Sequence, residues 1–406
     1  MENIITKVFA EEIKDSRGNP TLKVTVCCGD MNASFSVPSG ASTGIHEAHE
    51  LRDEDGKGVE NAIMKINEDI SNLLVGESVL DQNNIDHKMI NFDGTPNKVN
   101  LGGNSMIGVS IACAKVAAKI SDLELYEYLR TIAEIKPSRK VPHLYMNLIN
   151  GGKHAKNNLA FQEYHIVTDT DNIKDAVEIG INIQKTLNEI IEEDLGDDSL
   201  TLGDEGGYAP QISDIRQPLM YLQESIIRNN LEGKVRLALD VASSSFYKDG
   251  KYEVDGQLIS KEDLMNIYDS LILEFNLLSI EDPFDEEDFE SFRNLKNAHT
   301  EIIVMGDDLT VTNKTLLTKA IENNSINAMI IKPNQIGTLT ETLDTMKLAR
   351  ENNIELIVSH RSGETDDDFI ADLCYAFSCF GLKSGSPIKS ERMVKYERLI
   401  KISEII

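Results

Sequence analysis

Apolar and polar positions alternate with period two in "TLKVTVCC" at 21–28 and again in "NASFSV" at 32–37. Gly29 and Asp30 separate the two runs, which predicts a hairpin within an opening β-meander. From Val59 to Lys119 the period lengthens. "VENAIMKINEDISNLL" and, after Gly102 and Gly103, "NSMIGVSIACAKVAAKI" space their apolar residues as packed helices do. The two prolines and the mixed charge of "EIKPSRKVP" then place a linker near 131–141. The expected division is an N-terminal α+β domain at 1–135 and a second domain at 142–406.

Beyond the linker, short apolar runs end in polar residues and are followed by helical stretches: "VRLALD", "LLSIED", "EIIVMGDD", "AMIIKPN", "IELIVSH" and "GLKSG". Their polar ends, Asp240, Glu281, Asp307, Lys332, His360 and Lys383, lie 41, 26, 25, 28 and 23 residues apart. Such intervals suit successive βα units. A doubly wound open sheet gathers ligands mainly at one switch point, whereas a closed β/α barrel brings every C-terminal strand end to one face. Polar residues at all six ends favour the barrel, making the chain an α/β protein with an N-terminal α+β domain.

Composition narrows the partners. Asp plus Glu outnumber Lys plus Arg 68 to 40, a formal net charge of -28, and such a surface repels nucleic-acid phosphates and anionic lipid alike. Neither nucleic acid nor membrane is an expected partner, and an anionic substrate needs local cations. Cys27, Cys28, Cys113, Cys374 and Cys379 lie in apolar runs without a metal-type CxxC pair, which suits reduced core residues. "MENIITKVFAEEI" lacks the regions of a secretory leader, and no run of eighteen apolar residues occurs, so a cytoplasmic protein is expected.

At a barrel mouth, Asp240, Glu281 and Asp307 would converge, and three carboxylates in a small space raise at least one pKa unless a cation neutralises them. All-oxygen ligands select a hard ion such as Mg2+. The plainer alternative is that each acid caps the helix that follows. Lys332 and Lys383 also close apolar runs; beside metal ions and another cation such a lysine loses its proton more readily and can act as a base, while a salt bridge to the acids is the structural alternative. "LTLGDEGGYAP" places Asp204 and Glu205 after a strand on a tight, exposed turn, where an acid can be held. "NGGKHAKNNLAFQEYHIV" sets paired glycines before His154, then Gln162 and Glu163 entering a strand; this reads as a lid or as a solvated basic loop. His360, Arg361 and Ser362 form a donor-rich strand end suited to phosphate. "PSGASTG" at 38–44 lacks the Gly-Lys-Ser/Thr ending of a P-loop and reads as a closing loop, with Ser42 an available oxygen ligand. Asp285 to Asp288 read as a solvated helix start.

Taken together, "DSRGNPT", "VPSGASTG", "NGGKHA", "GDEGGYAP", "LALDVA", "SIEDPF", "GDDLTVTN", "KPNQIGT", "SHRSGET" and "KSER" resemble the enolase family, in collinear order over nearly the whole chain. The resemblance implies a β/α barrel with an irregular, partly antiparallel start, and a homodimer or homo-octamer. It implies reversible dehydration of 2-phosphoglycerate to phosphoenolpyruvate with two Mg2+ ions, the second arriving with substrate. Carried over by position, Asp240, Glu281 and Asp307 bind the first ion and Ser42 the second. Lys332 is the base and Glu205 the acid, supported by Glu163. His360 joins the catalytic group, while His154, Gln162, Arg361, Ser362 and Lys383 contact substrate. For Glu205 to act as the acid, burial or the Glu163 charge must keep it protonated. The alternative is a non-catalytic or altered-specificity paralogue. Two departures stand out: Lys153 and Lys156 add charge to the histidine loop, and Gly103 and Ser105 replace alanines, read as packing variation.

Overall fold

The computed structural model describes residues 3–40, 44–138, 141–196 and 199–405. The predicted meander is present: β1 (Lys7–Lys14), β2 (Pro20–Cys28) and β3 (Met31–Ser36) pair antiparallel in chain order. Leu22, Val24 and Val26 of β2 are buried, and the sheet packs on the helix Gly103–Ile120. That helix has buried residues on every side, as its unbroken run of small apolar residues allows. Glycine at 103 has a packing reason, because a Cβ there would lie 2.7 Å from the Ala48 Cβ. The predicted helix at 59–74 runs over 60–74, with a π-helical segment at Lys65–Ile70 that keeps Ile66 and Ile70 buried.

Eight strands close into a barrel: β4 (His143–Asn150), β5 (Glu163–Thr168), β6 (Val235–Asp240), and β10 (Ser279–Glu281) through β11 (Ile303–Gly306), β12 (Ala328–Ile331), β13 (Glu355–Ser359) and β14 (Gly381–Lys383). β5 runs antiparallel to β4 and β6; every other pairing is parallel. The irregular start and the closed barrel are therefore both observed. The long interval after Asp240 holds a small sheet, β7 (Tyr247–Lys248), β8 (Lys251–Val254) and β9 (Gln257–Ile259), before the helix Lys261–Phe275.

The strand-end acids do not cap the following helices. Ser260, Asp288 and Asn313 cap the helices at Lys261–Phe275, Phe289–Ala298 and Lys314–Glu322. This frees Asp240, Glu281 and Asp307 to face the barrel mouth. The expected solvated run at 285–288 is only partly so. Asp288 caps its helix, but Glu286 accepts from the Ile45 amide at 3.0 Å, and Glu287 meets His46 Nε2 at 2.6 Å. Two of these acids therefore clasp a loop of the N-terminal region.

Other contacts tie that region to the barrel. Asp86 and Ser110, both buried, accept from the Thr340 and Leu339 amides, each at 2.9 Å, at the start of the helix Leu339–Glu351. The Ser16 amide donates to Glu364 O at 2.7 Å, and Ser39 pairs with Gly363. The "DSRGNPT" turn thus braces the loop after β13. All five cysteines are free, four of them buried and Cys27 half-buried. No helix among the described residues is long and apolar enough to cross a membrane.

Candidate active site

Side chains on a strand alternate between its faces, so residues two apart share the barrel interior. Ala238 and Asp240 share a face of β6, Ser279 and Glu281 of β10, and Glu163, His165 and Val167 of β5. Asp240 is paired in register with Glu163 on one side and with Glu281 on the other. Three carboxylates from neighbouring strands therefore meet at one level. Asp307 directly follows β11, Lys332 follows β12, His360 follows β13, and Lys383 ends β14.

Lys383 is 1% exposed and sits among these acids. Its Nζ donates to Asp240 Oδ2 at 2.8 Å and to both Glu281 oxygens at 3.0 and 2.9 Å, and lies 3.3 Å from Glu163 Oε2. Burial disfavours its charge, but Asp240, Glu163 and Glu281 outweigh burial and hold its pKa well above the ordinary lysine value. Burial raises Asp240 and Glu281, Glu281 strongly, with the Asp240 charge adding to that effect. The expected mutual repulsion is thus present.

Asp307 stands apart with a different cation. Lys332 Nζ donates to Asp307 Oδ2, and Gln335 Nε2 donates to Oδ1 at 2.9 Å. Against burial, Lys332 pulls Asp307 below the usual carboxylate range. In return Asp307 overcomes burial and raises Lys332, while Arg361 and Lys383 push it down. The expectation of a lysine lowered by cationic neighbours holds for those two neighbours, but the short contact with Asp307 outweighs them. Asp282 steadies this acid: its carboxylate accepts from the Asp307 and Asp308 amides at 3.0 and 2.8 Å.

The exposed turn expected for Glu205 is buried, with Glu205 1% exposed, and the segment before it forms only an isolated bridge, Leu202 to Tyr208, rather than a strand. Asn147 Nδ2 donates to Glu205 Oε2 at 2.9 Å. His154 Nδ1 lies 3.3 Å from Glu163 Oε1 and 3.6 Å from Glu205 Oε1, and His360 Nε2 lies 3.4 Å from that same Glu205 oxygen. These imidazole contacts are ion-pair distances without hydrogen-bond alignment. Burial and Glu163 push Glu205 up, yet the two histidines prevail and hold it well below its ordinary value. Burial lowers His154, but Glu205 and Glu163 more than compensate and raise it. Burial and the Glu163 charge thus act on Glu205 in the expected direction, but the two histidines oppose them, and His154 beside it favours its charged form.

Arg361 forks onto Glu47, with Nη1 to Oε2 at 3.0 Å and Nη2 to Oε1 at 3.2 Å, and Nη1 also reaches Asn334 Oδ1 at 3.0 Å. Ser362 is buried beside it, and Gln162 donates to Asp240 Oδ2 at 3.4 Å. His154, Gln162, Glu163, Glu205, Asp240, Asp307, Lys332, His360, Arg361, Ser362 and Lys383 line one cavity of about 20 Å³, room for about one water by the usual measure. A cleft of about 640 Å³ touching Arg361, Glu47 and Asn334 opens beside it. Glu281 lies beneath, on Lys383. Ser42 lies outside the described residues. Sequence reading passed over Asn147, His165, Gln335 and Asp282. His165 was within reach of it, since it is two residues beyond Glu163 on the same strand face.

The donor set suits a divalent cation. Asp240, Glu281, Asp307 and Glu163 offer only oxygen, lie buried, and outnumber the two lysines they face, and a cation would relieve the repulsion that raises Asp240 and Glu281. Among the described residues, ligand atoms also lie within 4.8 Å of one another in His154, Glu163 and Glu205, and in Asp282, Asp307 and Asp308. The first trio is already linked through His154, and Asp282 is occupied by backbone amides.

A closed β/α barrel whose mouth holds one buried and one half-buried lysine, a buried acid–imidazole group and a carboxylate cluster compatible with a divalent metal defines a barrel enzyme of acid–base chemistry. The family described as "Enolase, C-terminal TIM barrel domain" matches residues 138–406, and "Enolase, N-terminal domain" matches 5–129. The chain is 44% identical to the enolase of Methanocaldococcus jannaschii over 406 residues, covering 98% of this chain and 95% of that one. It is 42% identical to the enolase of Methanothrix thermoacetophila over 409 residues, covering 99% and 96%. The chain belongs to the enolase family.

Proposed function

We propose that the barrel mouth dehydrates 2-phosphoglycerate reversibly to phosphoenolpyruvate, with Lys332 and Glu205 handling the protons. The protein is a hydro-lyase of glycolysis and gluconeogenesis. The observation that carries the assignment of roles is the pairing of two lysines with carboxylates at the barrel mouth, the half-buried Lys332 on Asp307 and the buried Lys383 among Asp240, Glu281 and Glu163. Asp240, Glu281 and Asp307 would hold Mg2+, and Ser42 with substrate oxygens a second ion. Bound there, Mg2+ stabilises the negative charge that develops on the substrate carboxylate as the C2 proton leaves.

Lys332 removes the C2 proton and must be neutral to do so. With Asp307 and Glu281, the two acids that raise it, engaged as ligands, Lys332 would keep Arg361 and Lys383 as neighbours that favour its neutral form. Glu205 delivers a proton to the departing C3 hydroxyl. The proton it needs resides on His154, which lies between Glu163 and Glu205 and favours the charged form. Glu163, held ionised against burial chiefly by Lys383, keeps that imidazolium in place. Arg361 and Ser362 receive the phosphate, so Glu47 must yield the guanidinium fork, and Lys383 lies near the substrate carboxylate with His154 and Gln162 alongside. His360 steadies Glu205.

The deciding assay follows phosphoenolpyruvate absorbance from 2-phosphoglycerate with Mg2+, with and without chelator. Folded protein that shows no Mg2+-dependent turnover overturns this reading. We further propose a cytoplasmic homodimer or homo-octamer with domains at 1–135 and 142–406. Sedimentation measures the first, and limited proteolysis, cutting between the two spans, the second.

A further inference from the structure

Arg392, on the C-terminal helix Ser390–Ile405, is 0% exposed and, among the described residues, has no carboxylate within ion-pair distance, although its charge reaches the buried Glu364. Its donors go elsewhere. Nη1 reaches His360 Nδ1 at 2.7 Å and the Arg361 carbonyl at 2.6 Å; Nη2 reaches the Ser362 carbonyl at 2.7 Å and the Asp204 carbonyl at 3.4 Å. A guanidinium only donates, so the His360 Nδ1 it meets must present a lone pair. The ring's one proton then lies on Nε2, which faces Glu205 Oε1 at 3.4 Å.

We infer that Arg392 is a positioning residue that fixes His360 as a neutral imidazole with its proton on Nε2, the ring nitrogen 3.4 Å from Glu205 Oε1. A second observation shows that this arrangement is built in. Gly385 has φ +68°, and a Cβ there would lie 2.9 Å from His360 Cε1, 3.0 Å from the Glu205 carbonyl and 3.2 Å from Arg392 Cδ. Three elements close on one another with no space for a methyl group. The charged groups facing the ring are Glu205, Glu163 and the buried Glu364, which favour imidazolium, and Arg392, which opposes it; burial is the largest influence and also opposes it. The consequence is a division of labour between two histidines that touch the same carboxylate oxygen. His154 carries the mobile proton, whereas His360 is a fixed donor that cannot take a second proton while Arg392 holds Nδ1. The inference rests on the assignment of Glu205 as the acid, because only there does a fixed donor serve the reaction.

The test is a set of nitrogen-15 histidine spectra of the full chain, with His360 assigned by its loss in His360→Gln. Between about pH 5.5 and 8.5 the His360 signals should stay those of a neutral ring protonated at Nε2. A doubly protonated ring, or a proton on Nδ1, anywhere in that range overturns the inference, and this arm needs no variant at Arg392. In Arg392→Met and Arg392→Lys the tautomer should mix and the ring should titrate, with kcat down about 10- to 100-fold and KM within about threefold. A variant that folds and loses activity with the His360 tautomer unchanged shows a merely structural role and also overturns it. Wild-type protein with the expected spectra but no turnover counts against the functional reading instead, so the two failures are distinguishable.

Discussion

Two layers of the barrel interior, one strand step apart, have opposite character. The lower layer is apolar: Tyr145, Val167, Ala238, Met305, Ala328, Ile330 and Ile357 form a core cluster of their own. Directly above them on the same strand faces come Asn147, His165, Asp240, Asp307, Lys332 and Ser359, with Glu281 and Lys383 alongside. Burying charge is expensive unless it is paired, and a mobile pair loses geometry as well as energy. The lower layer supplies what the upper one lacks, a close-packed platform that fixes where each strand end points. Stability and chemistry are thus separated by about one pleat, and substitutions in the two layers should fail in different ways.

The sharpest contrast is Lys332→Ala. Turnover should fall by about 10²- to 10⁴-fold or more, while Mg2+ affinity measured by calorimetry stays close to wild type; a large loss of affinity would contradict its role as base. Asp307→Ala should do the reverse and weaken Mg2+ binding, and an unchanged Mg2+ dependence would remove Asp307 from the ligand set. One layer down, Ile330→Ala should cost about 2–5 kcal/mol of unfolding free energy, with kcat per folded molecule little changed. A selective loss of kcat there would mean that the layers are not separable.

A smaller effect is expected from pH. His154 has its folded pKa raised, so the stability it contributes is fully present below the ordinary histidine value of about 6.5 and is lost as pH rises through the raised value. The alkaline limb of kcat should follow the same ionisation, and His154→Gln should remove that limb from both the stability and the rate profiles. The smallest effect belongs to the clasp outside the barrel. His46 and Glu287 are both about half exposed, so Glu287→Gln should change stability by less than about 1 kcal/mol. Its signature should be faster proteolysis of the 44–56 loop, and no change in cleavage rate would show that the clasp does not restrain it.

Much of this was legible in the sequence because it is local. An apolar run that ends in Asp240, Glu281, Lys332 or Lys383 announces both the strand and the residue at its mouth, and the meander and the helix at 103–120 follow from their periods in the same way. What was missed depends on contacts between distant segments. Asp285 to Asp288 carry no mark distinguishing the acid that caps a helix from those that hold residues 45 and 46. Glu205 looked like a turn acid because nothing near it in sequence shows that Asn147, His154 and His360 close around it.

Protonation was the least legible of all. Asp307 raises Lys332, and His154 and His360 lower Glu205, so each answers to a partner 25 to 155 residues away in the chain. The sequence by itself determined the barrel, the strand-end residues and the family, since periodicity and motif order are properties of the chain read in line. Tertiary structure alone decided which carboxylate meets which cation, which of the two histidines has its pKa raised, and that Arg392 lies behind His360. Those outcomes depend on burial and on separations of a few ångströms, over which electrostatic interactions change steeply and which the linear order of residues does not contain.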